Sequence, residues 1–276
     1  MRKLSLFILT CLLFVSISCS ESNQTISLIT YNIRLDIESD GINKWDNRKE
    51  GLISLIKEEN PDVLGIQEGL PNQIEYISNQ LEDYNMIGEG RDGGDNGEYS
   101  AIYYKSEKLR LEKAETFWLS ETPYIPSIGW DAALNRIATF GVFRIKNSNE
   151  NLIVYNSHFD HIGTQARENS VSVILNHIKD NDFINNAIIV MGDFNAEPHD
   201  VPIKLLSENL EDSFNSFPIE KPFGTFSGFD LESKLLNRID YIFTKNIEVI
   251  EYKHIQKRLP NKVWPSDHLP IFISIN

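Results

Sequence analysis

Eight short runs rich in Ile, Val, Tyr and Phe recur along the chain, and they constrain its fold more than any other feature. Gly, Asn, Asp or Pro bounds these runs, as is typical of β-strands. Many are continuously apolar rather than alternating, which is expected of strands covered by helices on one face and by a second sheet on the other. The runs are 26–33, 63–67, 99–104, 137–145, 152–157, 187–191, 239–243 and 269–275.

Two helices are predicted between these strands. Residues 46–59 place apolar side chains at helical spacing and stop before Pro61. Residues 164–180 carry an i, i+3, i+4, i+7 apolar stripe that is typical of a buried helix face, and Thr164 stands where a capping residue is expected. Many strands with interspersed helices indicate an α/β protein, a strand sandwich flanked by helices.

The composition is that of a folded, acidic protein. Of 276 residues, 41% are hydrophobic, and 26 Lys and Arg stand against 40 Asp and Glu, a formal net charge of −14. This charge argues against general attraction to nucleic acid, which needs a basic face to neutralise phosphates. It is compatible with an enzyme that meets a phosphate through a divalent cation. Without a short repeat or a Pro- or Ser-rich linker, residues 26–276 are predicted to form one domain.

The N-terminal residues predict export. Two basic residues precede an apolar run over 4–17, and a small residue stands before Cys19, as in the signal peptides of lipoproteins. The run is shorter than the roughly 20 residues of a membrane span. We expect a signal peptide over 1–18, lipid on Cys19 and a polar tether over 19–25. The protein would then be anchored to a bacterial cell envelope, periplasmic or at the surface; the alternative is an ordinary signal peptide cut nearby.

Polar side chains stand at the ends of six of the predicted strands. Asp and Asn are ordinary in such places because they form turns, so each alone is more often structural than catalytic. Six endings at one edge of a sandwich would instead converge on a single cleft. They are Asn32, Glu68, the segment HFDH at 158–161, Asp193 with Asn195, Asp240, and Asp267 with His268.

These endings, in this order along the chain, resemble the motifs of the endonuclease/exonuclease/phosphatase superfamily. The matching segments are TYN at 30–32, QE at 67–68, NSH at 156–158, GDFN at 192–195, RIDY at 238–241 and SDH at 266–268. The segments 117–123 and 129–136 resemble an exported bacterial branch of the superfamily. GDFN followed about 70 residues later by SDH is specific, whereas QE or YN alone is weak. The resemblance implies a four-layer α/β sandwich of two packed, mostly antiparallel sheets with helices outside.

The resemblance also implies a metal and a water-activating group. Glu68 would be the principal ligand of Mg²⁺ (or Mn²⁺), a hard cation that suits a carboxylate. Asn32 and Asp267 would bind the ion or support its ligands. Asp193 would activate or orient the attacking water, and Asn195 would hold that water or the phosphate.

Further side chains are expected at the phosphate. His268 would contact it, oriented by Asp240, because a carboxylate behind an imidazole fixes its tautomer and favours its protonated form. His158 matches a second active-site position, with Glu98 as its expected partner. Arg136 matches a phosphate-contacting arginine, and a guanidinium suits that task; its alternative is a surface ion pair.

Three more residues are weaker candidates. Asp160 is expected either to support the site or to form a turn before the second helix, and His161 follows it directly. Arg91 lies in the segment 88–97, which holds five glycines and is predicted to be a mobile loop. That loop is equally well interpreted as a simple connection or as a substrate-side loop.

The resemblance implies hydrolysis of a phosphoester by in-line attack of an activated water. A divalent metal would neutralise the anionic ester while a carboxylate positions the water. The predicted activity is nuclease-like, on a phosphodiester; a phosphomonoesterase or sphingomyelinase-like hydrolase is the alternative, and a binding protein without chemistry is disfavoured. The substrate would be a nucleic acid, a phospholipid headgroup or a sugar phosphate. We expect a monomer that touches membrane only through the lipid on Cys19.

Overall fold

A computed structural model describes residues 25–148, 150–217, 224–260 and 263–276, so the predicted signal peptide and the tether up to residue 24 lie outside it. The strands are β1 Ile26–Asn32, β2 Val63–Gln67, β3 Tyr84–Ile87, β4 Ile102–Lys105, β5 Leu109–Trp118, β6 Ile137–Ile145, β7 Asn151–His158, β8 Ala187–Asp193, β9 Glu211–Asp212, β10 Asp240–Lys245, β11 Val249–His254 and β12 Ile271–Ile275. The α-helices are α1 Trp45–Glu59, α2 Pro71–Gln80, α3 Thr164–Asp180 and α4 Val201–Ser207. Short 3₁₀ helices cover Glu38–Asn43 and Ser213–Ser216.

The strands form two six-stranded sheets, in the orders β11-β12-β1-β2-β4-β3 and β5-β6-β7-β8-β10-β9. Each sheet contains one parallel pair, β1 with β2 and β7 with β8, and antiparallel pairs otherwise. A helix connects each parallel pair, α1 in the first sheet and α3 in the second. The expected architecture, mostly antiparallel sheets flanked by helices, is thus confirmed.

Three apolar layers hold the sandwich together. Between the sheets, side chains of the first sheet such as Leu28 and Val63 pack with Val154 and Met191 of the second. Helices α1 and α2 cover the outer face of the first sheet, and α3 and α4 cover that of the second. None of the helices in the described part of the chain is long and apolar enough to cross a membrane.

Some element bounds differ from those predicted. The strand expected over 99–104 begins only at Ile102, because Tyr99 makes isolated bridges to Gly69 and Gly90 instead of continuing the ladder. Helix α3 begins at Thr164 as expected, but Thr164 does not cap it, since it is already the first helical residue. The carboxylate of Asp131, from a distant loop, accepts the free amides of Ala166 at 2.7 Å and Gln165 at 3.3 Å instead.

The two ends of the described chain lie at one edge of the sandwich. The hydroxyl of Thr25, just before β1, donates to the side-chain oxygen of Asn276 at 3.3 Å. Strand β1 runs from this edge to the opposite one, where it ends at Asn32.

His177 of α3 is a packing residue with an unusual environment. Its ring stacks on Phe117 at 4.5 Å and lies 4.5 Å from Phe140, while its Nδ1 is 2.8 Å from the Tyr155 hydroxyl. Burial, aided by the charge of Lys113, lowers the pKa of this imidazole to about 4. The folded protein therefore holds His177 neutral over a range in which an unfolded chain would protonate it.

We expect His177 to make the fold sensitive to mild acid. Its neutral form contributes stability above about pH 6.5, the ordinary histidine pKa, and that contribution is lost as the pH falls towards 4. His177→Asn keeps an acceptor for Tyr155 but cannot titrate. The drop in melting temperature between pH 7.5 and pH 5 should therefore be smaller in this variant than in wild type. His199→Asn, at an exposed histidine, is the matched control; equal drops in all three proteins would contradict this role.

Candidate active site

The strand register brings the predicted polar residues to one edge of the sandwich. In the first sheet, Asn32 at the end of β1 pairs with the last residue of β2, which Glu68 follows. In the second sheet, His158 at the end of β7 pairs with Asp193 at the end of β8, and Asp240 at the start of β10 pairs with Asp193 from the other side. Parallel pairs end at the same edge, so one cleft collects side chains from both sheets.

The side-chain amide of Asn32 lies at the centre of this cleft. It donates to Glu68 Oε1 at 2.9 Å and to Asp193 Oδ2 at 2.9 Å, so a single nitrogen connects carboxylates from the two sheets. Arg34 lies 4.0 Å from Glu68 and 3.9 Å from Asp267. This guanidinium offsets part of the mutual repulsion of the carboxylates.

His268 and Asp240 form the pair expected from the sequence. His268 Nδ1 is 2.8 Å from Asp240 Oδ2, and its Nε2 faces Asp193 Oδ2 at 3.8 Å. Burial opposes protonation of His268, but the carboxylates of Asp240 and Asp193 outweigh it and raise the pKa of the imidazole well above its ordinary value. His268 is therefore a cation held beside Asp193.

Burial favours the neutral forms of both Asp193 and His158. Burial and the nearby charge of Asp240 raise the pKa of the Asp193 carboxyl to about 7. Burial, with the positive charge of Arg136, lowers the pKa of His158 well below its ordinary value. Its Nε2 lies 3.5 Å from Asp193 Oδ2 and accepts from the Asn195 amide at 3.0 Å, in agreement with a neutral ring.

The GDFN segment has a steric and a polar reason for its sequence. Gly192 has φ of 146°, and a Cβ there would lie 1.9 Å from the carbonyl oxygen of Ser157 on β7, so only glycine lets the strands approach. Asn195 has φ of 46°, a left-handed conformation that asparagine tolerates. Its backbone N–H donates to Asp193 Oδ1 at 2.9 Å and thereby orients that carboxylate.

The donor set fits a hard divalent cation. Glu68, His158 and Asp193 offer ligand atoms within 4.8 Å of one another. Asp240 also has a buried oxygen, Oδ1, without a hydrogen-bond partner. Carboxylates gathered in one cleft form the arrangement that Mg²⁺ or Mn²⁺ would stabilise, because such ions prefer oxygen ligands.

Arg136 is buried next to this cleft rather than placed on the surface. It is 4% exposed, its Nε donates to Asp160 at 3.2 Å, and its Nη2 donates to His161 Nδ1 at 2.9 Å. Asp160 also accepts the amides of Ile162 and Gly163, so it forms the turn before α3 as well. The alternative of a surface ion pair is wrong, because Asp160 is buried too.

Glu98 has a different partner from the expected one. It makes two contacts with Arg91, at 2.7 and 2.9 Å, and burial raises the pKa of its carboxyl despite that partner. Arg91, Glu98, Arg136 and His158 line one cavity. Arg91 thus places the glycine-rich segment at the cleft, where internal hydrogen bonds such as Gly90 N to Gly94 O at 2.7 Å hold it.

Arg48 of α1 is a site-supporting residue that the sequence did not single out. Its buried guanidinium donates to the carbonyl oxygens of Ile33 and, at 2.6 Å, Arg34, just after Asn32. It also donates at 3.2 Å to that of Pro265, two residues before Asp267. An arginine inside an amphipathic helix ordinarily faces solvent, so the sequence pattern does not predict this role.

Comparisons with known proteins agree with this geometry. Residues 29–268 match the model of the Endonuclease/Exonuclease/phosphatase family. An uncharacterised protein of Acanthamoeba polyphaga mimivirus is 30% identical, over 83% of this chain and 91% of that protein. The solved mannosyl-6-phosphatase of Bacteroides thetaiotaomicron is 32% identical with a TM-score of 0.84, covering 91% of this chain and 99% of that one.

A more distant structure shares the fold alone. The human Nocturnin catalytic domain superposes with a TM-score of 0.74 at 19% identity, over 91% of this chain and 93% of that one. With the family match spanning most of the sequence, the chain belongs to the endonuclease/exonuclease/phosphatase family.

Proposed function

We propose that this protein hydrolyses phosphoesters with the help of Mg²⁺ or Mn²⁺. The observation that carries the proposal is the single Asn32 nitrogen 2.9 Å from both Glu68 and Asp193, with two imidazoles 3.5 and 3.8 Å from the same Asp193 oxygen. Such a cluster joins groups that bind a cation to groups that handle a water and a phosphate.

Each residue has a role in this proposal. Glu68, with Asn32 and Asp267, holds the cation, which neutralises phosphate charge when bound. Asp193 accepts a hydrogen bond from the attacking water and orients it towards phosphorus. His268, kept protonated by Asp240, donates to the phosphoryl oxygen on which negative charge develops.

The raised pKa of Asp193, about 7, describes the cleft without a cation. A dication held by Glu68, Asn32 and Asp267 would favour the ionised form of Asp193, and the ionised carboxylate is the form that can accept a proton from water. Asn195 supports the same step, because its backbone N–H fixes the orientation of the Asp193 carboxylate.

We expect the loss of one of these groups to lower turnover strongly without unfolding the protein. Asp193→Asn and Glu68→Gln keep the shape of each side chain and should lower kcat by roughly 10²–10³. A chelator should abolish wild-type activity, and Mg²⁺ or Mn²⁺ should restore it. His199→Gln, at an exposed histidine, is the control. Near-normal turnover by Glu68→Gln in saturating Mg²⁺ would contradict the metal assignment.

A sugar phosphate monoester is the substrate class that we favour. One relative, which this chain matches over 99% of that relative's length, is a mannosyl-6-phosphatase. The cavity beside His158 is lined by the Arg91–Glu98 pair, which offers both a donor and an acceptor to hydroxyl groups. The formal net charge of −14 also disfavours attraction of a long polyanion.

A phosphodiester, as in nuclease-like activity, is the second candidate. Its support is the resemblance of the QE, GDFN and SDH segments to the nucleases of the superfamily. A phospholipid headgroup is a further possible ester, with no feature of the described residues in its favour.

A substrate panel should separate these classes. We expect hydrolysis of p-nitrophenyl phosphate and mannose 6-phosphate to exceed that of bis-p-nitrophenyl phosphate by at least about tenfold in kcat/KM. The Asp193→Asn variant measures the background for each substrate. Faster hydrolysis of the diester, or nicking of plasmid DNA in Mg²⁺ that Asp193→Asn loses, would favour the nuclease.

We also propose that the protein is exported and held at the cell envelope by lipid on Cys19. The support is the basic start, the apolar run over 4–17 and the position of Cys19. Cys19→Ser should move the protein from the membrane fraction to the soluble fraction of a bacterial host, while Cys11→Ser should not. A wild-type protein found only in the soluble fraction would favour an ordinary signal peptide.

A further inference from the structure

We propose that Asp160 and His161 are positioning residues that hold Arg136 from behind, so that its remaining nitrogen is directed at an anionic group in the cavity beside His158. This inference rests on the proposed function, because the anion would belong to the phosphoester. It concerns Asp160, whose part the sequence left open between support of the site and a turn, and its neighbour His161.

The three nitrogens of the Arg136 guanidinium have different surroundings. Nε donates to Asp160 Oδ2 at 3.2 Å, and Nη2 donates to His161 Nδ1 at 2.9 Å. Nη1 is buried and has no hydrogen-bond partner, although Arg136 is only 4% exposed. A buried donor without a partner is costly, so this nitrogen is expected to serve a ligand.

The cavity that Arg136 lines has the properties of an anion site. Arg136 lines it together with Arg91, His158 and Glu98. Glu98 is already paired with Arg91 at 2.7 Å, and the positive charge of Arg136 helps keep His158 neutral. The free Nη1 therefore remains the available charged donor of Arg136 towards a phosphate oxygen.

Asp160 fixes the direction of the guanidinium. Its two oxygens accept four hydrogen bonds, from Arg136 and from the amides of Ala133, Ile162 and Gly163. These partners connect the loop before β6 with the turn before α3. A carboxylate so fully bonded cannot swing, and it holds Nε in one place.

His161 prevents rotation about that contact. A guanidinium has only donors, so the Nδ1 of His161 must accept, and the ring carries its proton on Nε2. The ring itself is exposed, in contrast to Arg136 and Asp160. Replacing His161 therefore tests the positioning of Arg136 with little risk to the folded core.

The experiment compares three replacements of His161 that differ only in where they place an acceptor. Asparagine can place its Oδ1 where the Nδ1 stood, glutamine places its oxygen one bond further out, and alanine has none. Binding of inorganic phosphate in Mg²⁺ is measured by calorimetry, and KM and kcat are measured with p-nitrophenyl phosphate and its bis ester. Melting temperatures check folding, and His199→Ala is the matched control.

We expect His161→Ala and His161→Gln to raise the Kd for phosphate and the KM about tenfold, with kcat within about twofold of wild type. His161→Asn should remain close to wild type. In an Arg136→Ala background, His161→Ala should have no further effect, because both changes remove the same contact.

Several results would overturn the inference: no phosphate binding by wild type, unchanged Kd in His161→Ala, equal rescue by asparagine and glutamine, or additive effects with Arg136→Ala. The proposed function fails separately. Phosphate binding that depends on His161 without hydrolysis of either ester would retain the anion site and reject the enzyme. Hydrolysis that is insensitive to His161 would do the reverse.

Discussion

The site depends on one amide group that joins the two sheets. Asn32 ends a strand of the first sheet, yet its nitrogen donates at 2.9 Å to Asp193 of the second sheet as well as to Glu68 beside it. These distances hold only if the sheets keep one separation and one register. The continuous apolar interface between the sheets, with side chains such as Leu28 and Met191 fully buried, is therefore a requirement of the chemistry as well as of stability.

The part of the fold that the sequence predicted is the part that is buried on both faces. All eight predicted runs correspond to strands with two neighbours, whereas the strands that were missed, β3, β5, β9 and β11, are the four edges of the two sheets. An edge strand is partly in water, so it needs fewer apolar residues; β5, with its charged residues between Leu109 and Trp118, shows this. Apolar sequence patterns reveal strands that are buried, and an edge strand is less buried than a central one.

The residues of the site divide in a similar way into those that the sequence predicted and those that it did not. Residues attached directly to strand ends, such as His158 and Asp193, could be placed together in advance because register fixes their positions. Partners that depend on loop conformation could not. Glu98 meets Arg91 because the glycine-rich segment folds back on itself, and Arg48 reaches from inside α1 to the carbonyl oxygens of Arg34, after β1, and Pro265, before β12. Neither contact leaves a pattern in spacing or composition.

The contact between Thr25 and Asn276 lies at the edge of the sandwich that β1 leaves before it reaches the cleft. A tether, a fused partner or a solid support attached at either position would therefore hold the protein at the edge opposite the cleft. The mouth of the cleft then opens into the surrounding fluid. A dissolved molecule could enter the cleft directly. A molecule embedded in the surface that carries the protein would lie at the opposite edge of the sandwich, a strand length away from the cleft.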